Sequence, residues 1–531
     1  MLNTIYSTRG MAVAPHSLAA QAALSVLREG GNAIEAMVAA ASTIAIVYPH
    51  MNGIGGDGFW VLSEPGKPVL AIEACGVAGA AVSTDFYVQR KLEAIPVRGP
   101  LAANTLAGTV GGWQQALDIS QSWNGQLPLS RLLADAIYYA EVGIPVTPSQ
   151  FASTSAKLNE LVNQPGFAET FLKNGAAPEA GSRFIQKRMG NTLRALASQG
   201  LDSFYRGALA KEIAQDLEDV GSPITLQDLN NYRARTVAPV HLEHSLGDVY
   251  NMAPPTQGLV SLIILGILDR LNIGQYKEDS LEYVHLVVEA TKQAFAVRDR
   301  YITDPDHMTI DPQECLTDAF LQPYVDAICV DKALPWGQGK GPGDTIWMGV
   351  IDNEGRAVSF IQSIYHEFGS GVVLPRTGIN WQNRGCSFSL DAGHLNALLP
   401  GKKPFHTLNP ALARFKDGRT MVYGTMGGDG QPQTQAAVFT RYAVFGQHVQ
   451  QAVSAPRWLL GRTWGQSSDS LKLESRFSPD LVAGLEALGH EVDVIGAFDE
   501  MVGHAGAIVR KADGLFEGGA DPRSNGVVAG Y

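Results

Sequence analysis

The chain has 531 residues, 45% apolar and 17% charged, the composition of an ordinary soluble globular protein with material for two domains or one large interwoven one. Its net charge of −12 argues against nucleic acid or an anionic membrane surface as a partner. No CxxC spacing joins Cys75, Cys315, Cys329 and Cys386, no signal-peptide pattern opens the chain, and no apolar run is long enough for a membrane span, so neither a disulfide framework, a zinc site, secretion nor membrane insertion is expected, and a cytoplasmic protein is.

In chain order, "HSLAAQAALSVLREGGN" predicts a helix capped by Ser17 and stopped at Gly30–Gly31. "AIEAMVAAASTIAIVYP" follows as a second helix, apolar nearly all round and therefore buried. "FWVLS" (59–63) and "PVLAIEA" (68–74) read as strands. From about 114 to 335 helical patterns dominate, among them "LSRLLADAIYYAEVG" and "SLEYVHLVVEATKQAFAVRDRYI". The Gly/Pro-rich "LPWGQGKGPGD" (334–344) is the best candidate for a flexible, exposed boundary. Beyond it the pattern becomes hairpins. "TIWMGVI" and "AVSFIQSI" flank "DNEG", and "ALARF" and "TMVYGT" flank "KDGR", with the Asn/Asp–Gly chemistry of tight turns. "QTQAAVFTRYAVFGQ" is helical again.

Two glycine-rich spots carry possible chemistry. "GIGGDG" (53–58) fits GxGxxG literally, but a helix precedes it and a strand follows, the reverse of a dinucleotide fingerprint. A tight turn with close backbone approach is the expectation. "YGTMGGDG" (423–430) lies between a strand and a helix, where adjacent glycine N–H groups form either an anion hole or a plain turn. Thr345 opens a strand with no histidine or lysine beside it to act as base. Cleavage of the Asp344–Thr345 bond would supply one, because the new α-amine, with a reference pKa of about 7.7–8.0, can take the proton of its own hydroxyl.

At these residues the sequence resembles the gamma-glutamyltranspeptidases of the N-terminal-nucleophile hydrolase superfamily. The resemblance rests on "GGNAIEAMVAA", "YPHMNGIGGDGFWVL", "TIWMGVIDNEGRAVSFIQSIYHEFGSGV", "KKPFHTLNPAL", "YGTMGGDGQPQ" and "GGADPRSNGVVAGY". It implies an α+β fold, a four-layer αββα sandwich. It also implies a precursor cleaved into residues 1–344 and 345–531, which interweave into one unit, a heterodimer able to form a homo-oligomer. Amide hydrolysis or acyl transfer would pass through an acyl-threonine, without metal or organic cofactor. Thr345 matches the nucleophile, Ser363 a second hydroxyl set against it, and Gly427 and Gly428 the oxyanion-hole pair.

Departures from the family pattern bear on the substrate. Cys75 stands where transpeptidases place an arginine that grips the glutamyl α-carboxylate. Cys386 and Ser387 replace the paired acidic residues that hold its ammonium, His406 and Thr407 replace paired serines, and Tyr365 replaces an asparagine. Loss of such a charged clamp costs on the order of 2–5 kcal/mol of recognition. Arg384, at a family glutamate or glutamine position, offers one bidentate fork for a carboxylate, or an internal ion pair. His406 and Tyr365 are candidate further donors, and Cys75 and Cys386 read most simply as small buried hydrophobes. A small anionic amide suits such a site. Within the family the chain is most similar to the branch containing oxamate amidohydrolase, which implies a cytoplasmic enzyme of purine and allantoin breakdown. A glutaryl- or cephalosporin-type acylase, a gamma-glutamyl hydrolase and an uncleaved binding protein remain the alternatives.

Overall fold

A computed structural model describes residues 3–336, 344–461 and 468–531. Most of the Gly/Pro-rich boundary at 334–344 falls outside them. Two seven-stranded sheets organise the chain. The first runs, neighbour to neighbour, through Val527–Gly530, Met11–Ala14, Asp344–Ile351, Ala357–Tyr365, Asp57–Ser63, Leu70–Ala74 and Arg235–Val237. The second runs through Ile5–Ser7, Phe516–Ala520, Ala505–Arg510, Thr420–Thr425, Ala411–Phe415, Gly247–Asn251 and Val240–His244. Residues on both sides of position 345 therefore supply strands to both sheets.

Side-chain alternation fixes the layers. On Asp344–Ile351, Ile346, Met348 and Val350 face one way, into a core shared with the helices Ser17–Arg28 and Ala33–Val47. Trp347 and Ile351 face the other, into a core they share with Leu412, Val422 and Ile508 of the second sheet. Outside the second sheet lie Gly258–Arg270, Leu281–Tyr301 and Gly430–Phe439, whose apolar faces form a further core. The result is the expected αββα sandwich. Close sheet approach depends on small residues around one large one: a Cβ on Gly424 or Gly506 would stand 2.3 or 2.7 Å from the Trp347 indole.

Both expected hairpins form. Val350 lies opposite Val358, joined through a turn in which Asp352 Oδ1 accepts the N–H groups of Glu354 and Arg356. Ala411–Phe415 pairs with Thr420–Thr425 across the second turn. Three readings need correction. The first helix is capped by His16, whose Nδ1 accepts the Leu18 N–H, with Ser17 as its first residue. "LSRLLADAIYYAEVG" divides into Leu129–Leu132 and Ala134–Val142. The mainly helical stretch also contains the strands Arg235–Val237, Val240–His244 and Gly247–Asn251, which complete the edges of both sheets through pairings with distant segments. All four cysteines are free. Among the described residues, no helix is long and apolar enough to cross a membrane.

Candidate active site

The "GIGGDG" turn joins the buried helix to Asp57–Ser63 as a close backbone approach. A Cβ on Gly56 would lie 2.0 Å from the Ser363 carbonyl oxygen, and one on Gly55 would lie 2.2 Å from that of Asn380, so only glycine lets these segments meet. This packing locks the register that builds the site. Asp57 is opposite Ser363. Between the pairs Asp344–Tyr365 and Ile346–Gln362 the register shifts by one, so Ser363 and Ile364 both stand across from Thr345. Bulges of this kind re-aim side chains beside active sites. Thr345, Ser363 and Asp57 thus form a row across three adjacent strands. It looks toward the second sheet, as do Trp347, Ile361 and Phe59 two residues along. All three members of the row are buried.

Beside the row the chain turns sharply. Ser363 Oγ accepts the Tyr365 N–H at 2.8 Å, and Tyr365 adopts φ +80°, a conformation that non-glycine residues hold only where their surroundings enforce it. The Tyr365 ring then lies under Arg384, whose Cζ is 3.8 Å from the ring centroid. Arg384 is 1% exposed and donates through Nη1 to Thr407 Oγ1 at 3.4 Å. Its Nε and Nη2 have no hydrogen-bond partner among the described residues. Among the described residues no carboxylate forms an ion pair with Arg384. Burial lowers the Arg384 pKa from its ordinary value, but an arginine keeps its charge in proteins.

His406 is wholly buried with its ring edge-on to Phe59, centroids 5.0 Å apart. Burial, then the charges of Arg384 and Lys403, hold it well below the usual histidine range, hence neutral. Its Nε2 is 3.6 Å from Asp57 Oδ2. Asp57 anchors its other oxygen, Oδ1, on the N–H groups of Gly76 at 2.9 Å and Gly108 at 3.0 Å. Burial outweighs these donors, the Arg384 charge and the Gln382 side chain, pushing the Asp57 carboxyl up to about 7. The sequence reading missed Asp57; its only signal was a lone acid within a glycine-rich turn. Cys75 is buried in the inter-sheet core, and its thiol is pushed up by burial. Cys386 is partly buried and pushed up to about 12. Both behave as small hydrophobes. Ser387 Oγ donates to the Phe405 carbonyl at 3.3 Å.

The second glycine spot ends the strand Thr420–Thr425 and starts the helix Gly430–Phe439. Gly427 and Gly428 take φ +118° and +52°. The Gly427 carbonyl accepts the Gly430 N–H at 2.8 Å. Gln257 Nε2 donates to the Gly428 carbonyl at 2.7 Å and to the Thr407 carbonyl at 2.9 Å, joining the glycine turn to the segment that carries His406. Gln257→Leu would leave the buried Thr407 carbonyl without that donor, at about 1–3 kcal/mol, while the Gly428 carbonyl keeps the Gln431 N–H at 3.2 Å. A lowered urea-unfolding midpoint is expected; an unchanged one would show that Gln257 does not brace the two segments.

One group among the described residues has metal-ligand geometry: His285, Glu289 and His490, with ligand atoms within 4.8 Å of one another. A cation already serves it, since Lys292 Nζ donates to Glu289 at 2.7 Å and to the Leu334 carbonyl.

A family model described as gamma-glutamyltranspeptidase matches residues 19–531. The chain is 63% identical to the oxamate amidohydrolase proenzyme of Klebsiella pneumoniae over 99% of each protein, and 40% identical to the glutathione hydrolase-like YwrD proenzyme of Bacillus subtilis over the full length of both. Among solved structures, cephalosporin acylase from Bacillus halodurans superimposes with a TM-score of 0.90 at 34% identity, covering 100% of this chain and 97% of that one.

Proposed function

We propose, from the premise that this chain belongs to the gamma-glutamyltranspeptidase family and is an amide hydrolase, that it is a self-processing enzyme that hydrolyses oxamate to oxalate and ammonia. Cleavage before Thr345 would separate residues 1–344 from 345–531 and free the α-amine. Thr345 Oγ then attacks the amide carbon while that amine accepts its proton. The N–H groups of Gly427 and Gly428 stabilise the oxyanion, a contribution of about 3 kcal/mol per donor in comparable sites. The ammonium returns its proton to the departing nitrogen, releasing ammonia. Water, deprotonated by the same amine, next attacks the acyl-threonine ester, and Thr345 Oγ leaves with the proton. Ser363, across from the nucleophile, keeps its place through the Tyr365 N–H.

The observation that carries the substrate assignment is Arg384: a buried guanidinium, stacked on Tyr365, with two donor nitrogens unused among the described residues. A planar fork of this kind fits one carboxylate. Oxamate carries its carboxylate directly on the amide carbon, so one fork positions the scissile bond. A glutamyl substrate needs a zwitterion clamp, and Cys75, Cys386 and Ser387 cannot provide its charges. The 63% identity to a protein named for oxamate supports the same reading. Ammonia and oxalate released in equal amounts from oxamate by the processed protein would bear it out; no ammonia above the uncatalysed rate would overturn it.

A pH prediction follows from the base. Because the neutral amine of Thr345 is the reactive form, kcat should climb with pH through that group's pKa and then level. A kcat flat from pH 5 to 9, with chemistry limiting, would remove the amine as base.

A further inference from the structure

Three buried polar groups beside Thr345 and Ser363 have hydrogen-bonding capacity with no partner among the described residues: Arg384 through Nε and Nη2, His406 through both ring nitrogens, and Asp57 through Oδ2. Buried polar atoms in folded proteins are nearly always satisfied, so three together mark a place made for a polar ligand. Building on the reading of the substrate as a small carboxylate-bearing amide, we propose that Asp57 completes the carboxylate subsite as an acid: when the anion docks on Arg384, Asp57 takes one proton from solvent and donates Oδ2–H to the substrate carboxylate.

Charge and geometry support this role. The substrate carboxylate and an ionised Asp57 would place two negative charges against the single fork of Arg384 among buried side chains, and two carboxylates so placed share one proton. Oδ1 is committed to the Gly76 and Gly108 N–H groups, which leaves Oδ2 to carry that proton. His406 Nε2, at 3.6 Å, lies beyond hydrogen-bond reach of Oδ2, so the two groups flank a ligand rather than satisfy each other.

In the processed protein the Thr345 α-amine also titrates in this range, and it is common to the wild type and Asp57→Asn, so the difference between the two proteins reports Asp57. Burial raises the Cys75 thiol and the Tyr205 and Tyr232 phenols well above their usual ranges. His406 is held neutral, Arg384 keeps its charge, and Glu73 pairs with Lys403 at 2.8 Å. Asp57, pushed up to about 7 by burial, is neutral below that pH and ready for the anion. Above it a proton must be taken up, so affinity should fall by about tenfold per pH unit. Asp57→Asn keeps an oxygen for Gly76 and Gly108 and supplies a permanent donor where Oδ2 stood, so it mimics the acid at every pH.

The test uses pyruvate, in which a methyl group replaces the amide nitrogen of oxamate. Its binding to the processed protein is measured by calorimetry at pH 8 in two buffers of different ionisation enthalpy, alongside the pH dependence of KM for oxamate. The expected result is uptake of close to one proton more per pyruvate by the wild type than by Asp57→Asn. KM should rise about tenfold more per unit above pH 7.5 in the wild type than in the variant. No uptake, equal uptake by both proteins, or no pyruvate binding would overturn the role of Asp57. Proton-coupled pyruvate binding without oxamate hydrolysis would overturn the substrate and keep the subsite. Oxamate hydrolysis without proton uptake would do the reverse.

Discussion

Thr345→Ala is expected to yield one uncleaved chain of 531 residues with no measurable amide hydrolysis, where the wild type yields fragments 1–344 and 345–531. In the proposed mechanism the same hydroxyl serves both reactions, attacking the Asp344–Thr345 bond during maturation and the substrate amide afterwards. Alanine leaves nothing to attack with in either step, and without cleavage there is no free amine to act as base. The substitution should cost little stability, since Thr345 sits in the regular strand of a bulged pair and the strand's apolar residues Ile346, Trp347 and Met348 are untouched. Thr345→Ser should restore cleavage in part, because the hydroxyl returns. Amino-terminal sequencing of the smaller wild-type fragment checks the assignment. A start at any residue other than Thr345, or cleavage of the alanine variant at the same bond, would sink it.

Arg384→Met should raise KM for oxamate and lower kcat/KM by roughly 30-fold to several-thousand-fold, the equivalent of about 2–5 kcal/mol for losing one partner of a buried charge pair. Methionine keeps an unbranched chain over Tyr365 but brings no donor and no charge. If Arg384 also positions the amide at Thr345, kcat falls as well. Arg384→Lys should recover only part of the loss, since an ammonium retains the charge but neither stacks flat on Tyr365 nor donates through two parallel hydrogen bonds. Steady-state kinetics on protein shown to be cleaved into two fragments separates these effects from failed maturation. Unchanged kinetics in Arg384→Met would remove Arg384 from the site.

Local chemistry made much of this fold readable. The buried helix Ala33–Val47 is apolar nearly all round, both hairpins carry their Asn/Asp–Gly turns, and Gly55 and Gly56 are sites of close backbone approach. Features that depend on distant partners were not readable. Val240–His244 and Gly247–Asn251 lie in a mainly helical stretch, and their hairpin becomes sheet edge only because Gly247–Asn251 pairs with the distant Ala411–Phe415. The helix cap at His16 sits beside a bridge to Asn525, near the far end of the chain. Of the site, Arg384 stood out because its charge is unusual for its place, and Tyr365, His406 and Thr407 collect around it or Asp57. Asp57 did not stand out. Its surroundings come from Gly76, Gly108 and His406, none of which is its neighbour in sequence.

The most direct test of the substrate claim is the ratio of kcat/KM for oxamate to that for a gamma-glutamyl anilide, measured on the processed wild-type protein. A site with one carboxylate fork at Arg384 and uncharged residues at 75, 386 and 387 should favour oxamate by roughly 30-fold or more, the worth of about 2 kcal/mol of charged recognition. A ratio at or below one would contradict it.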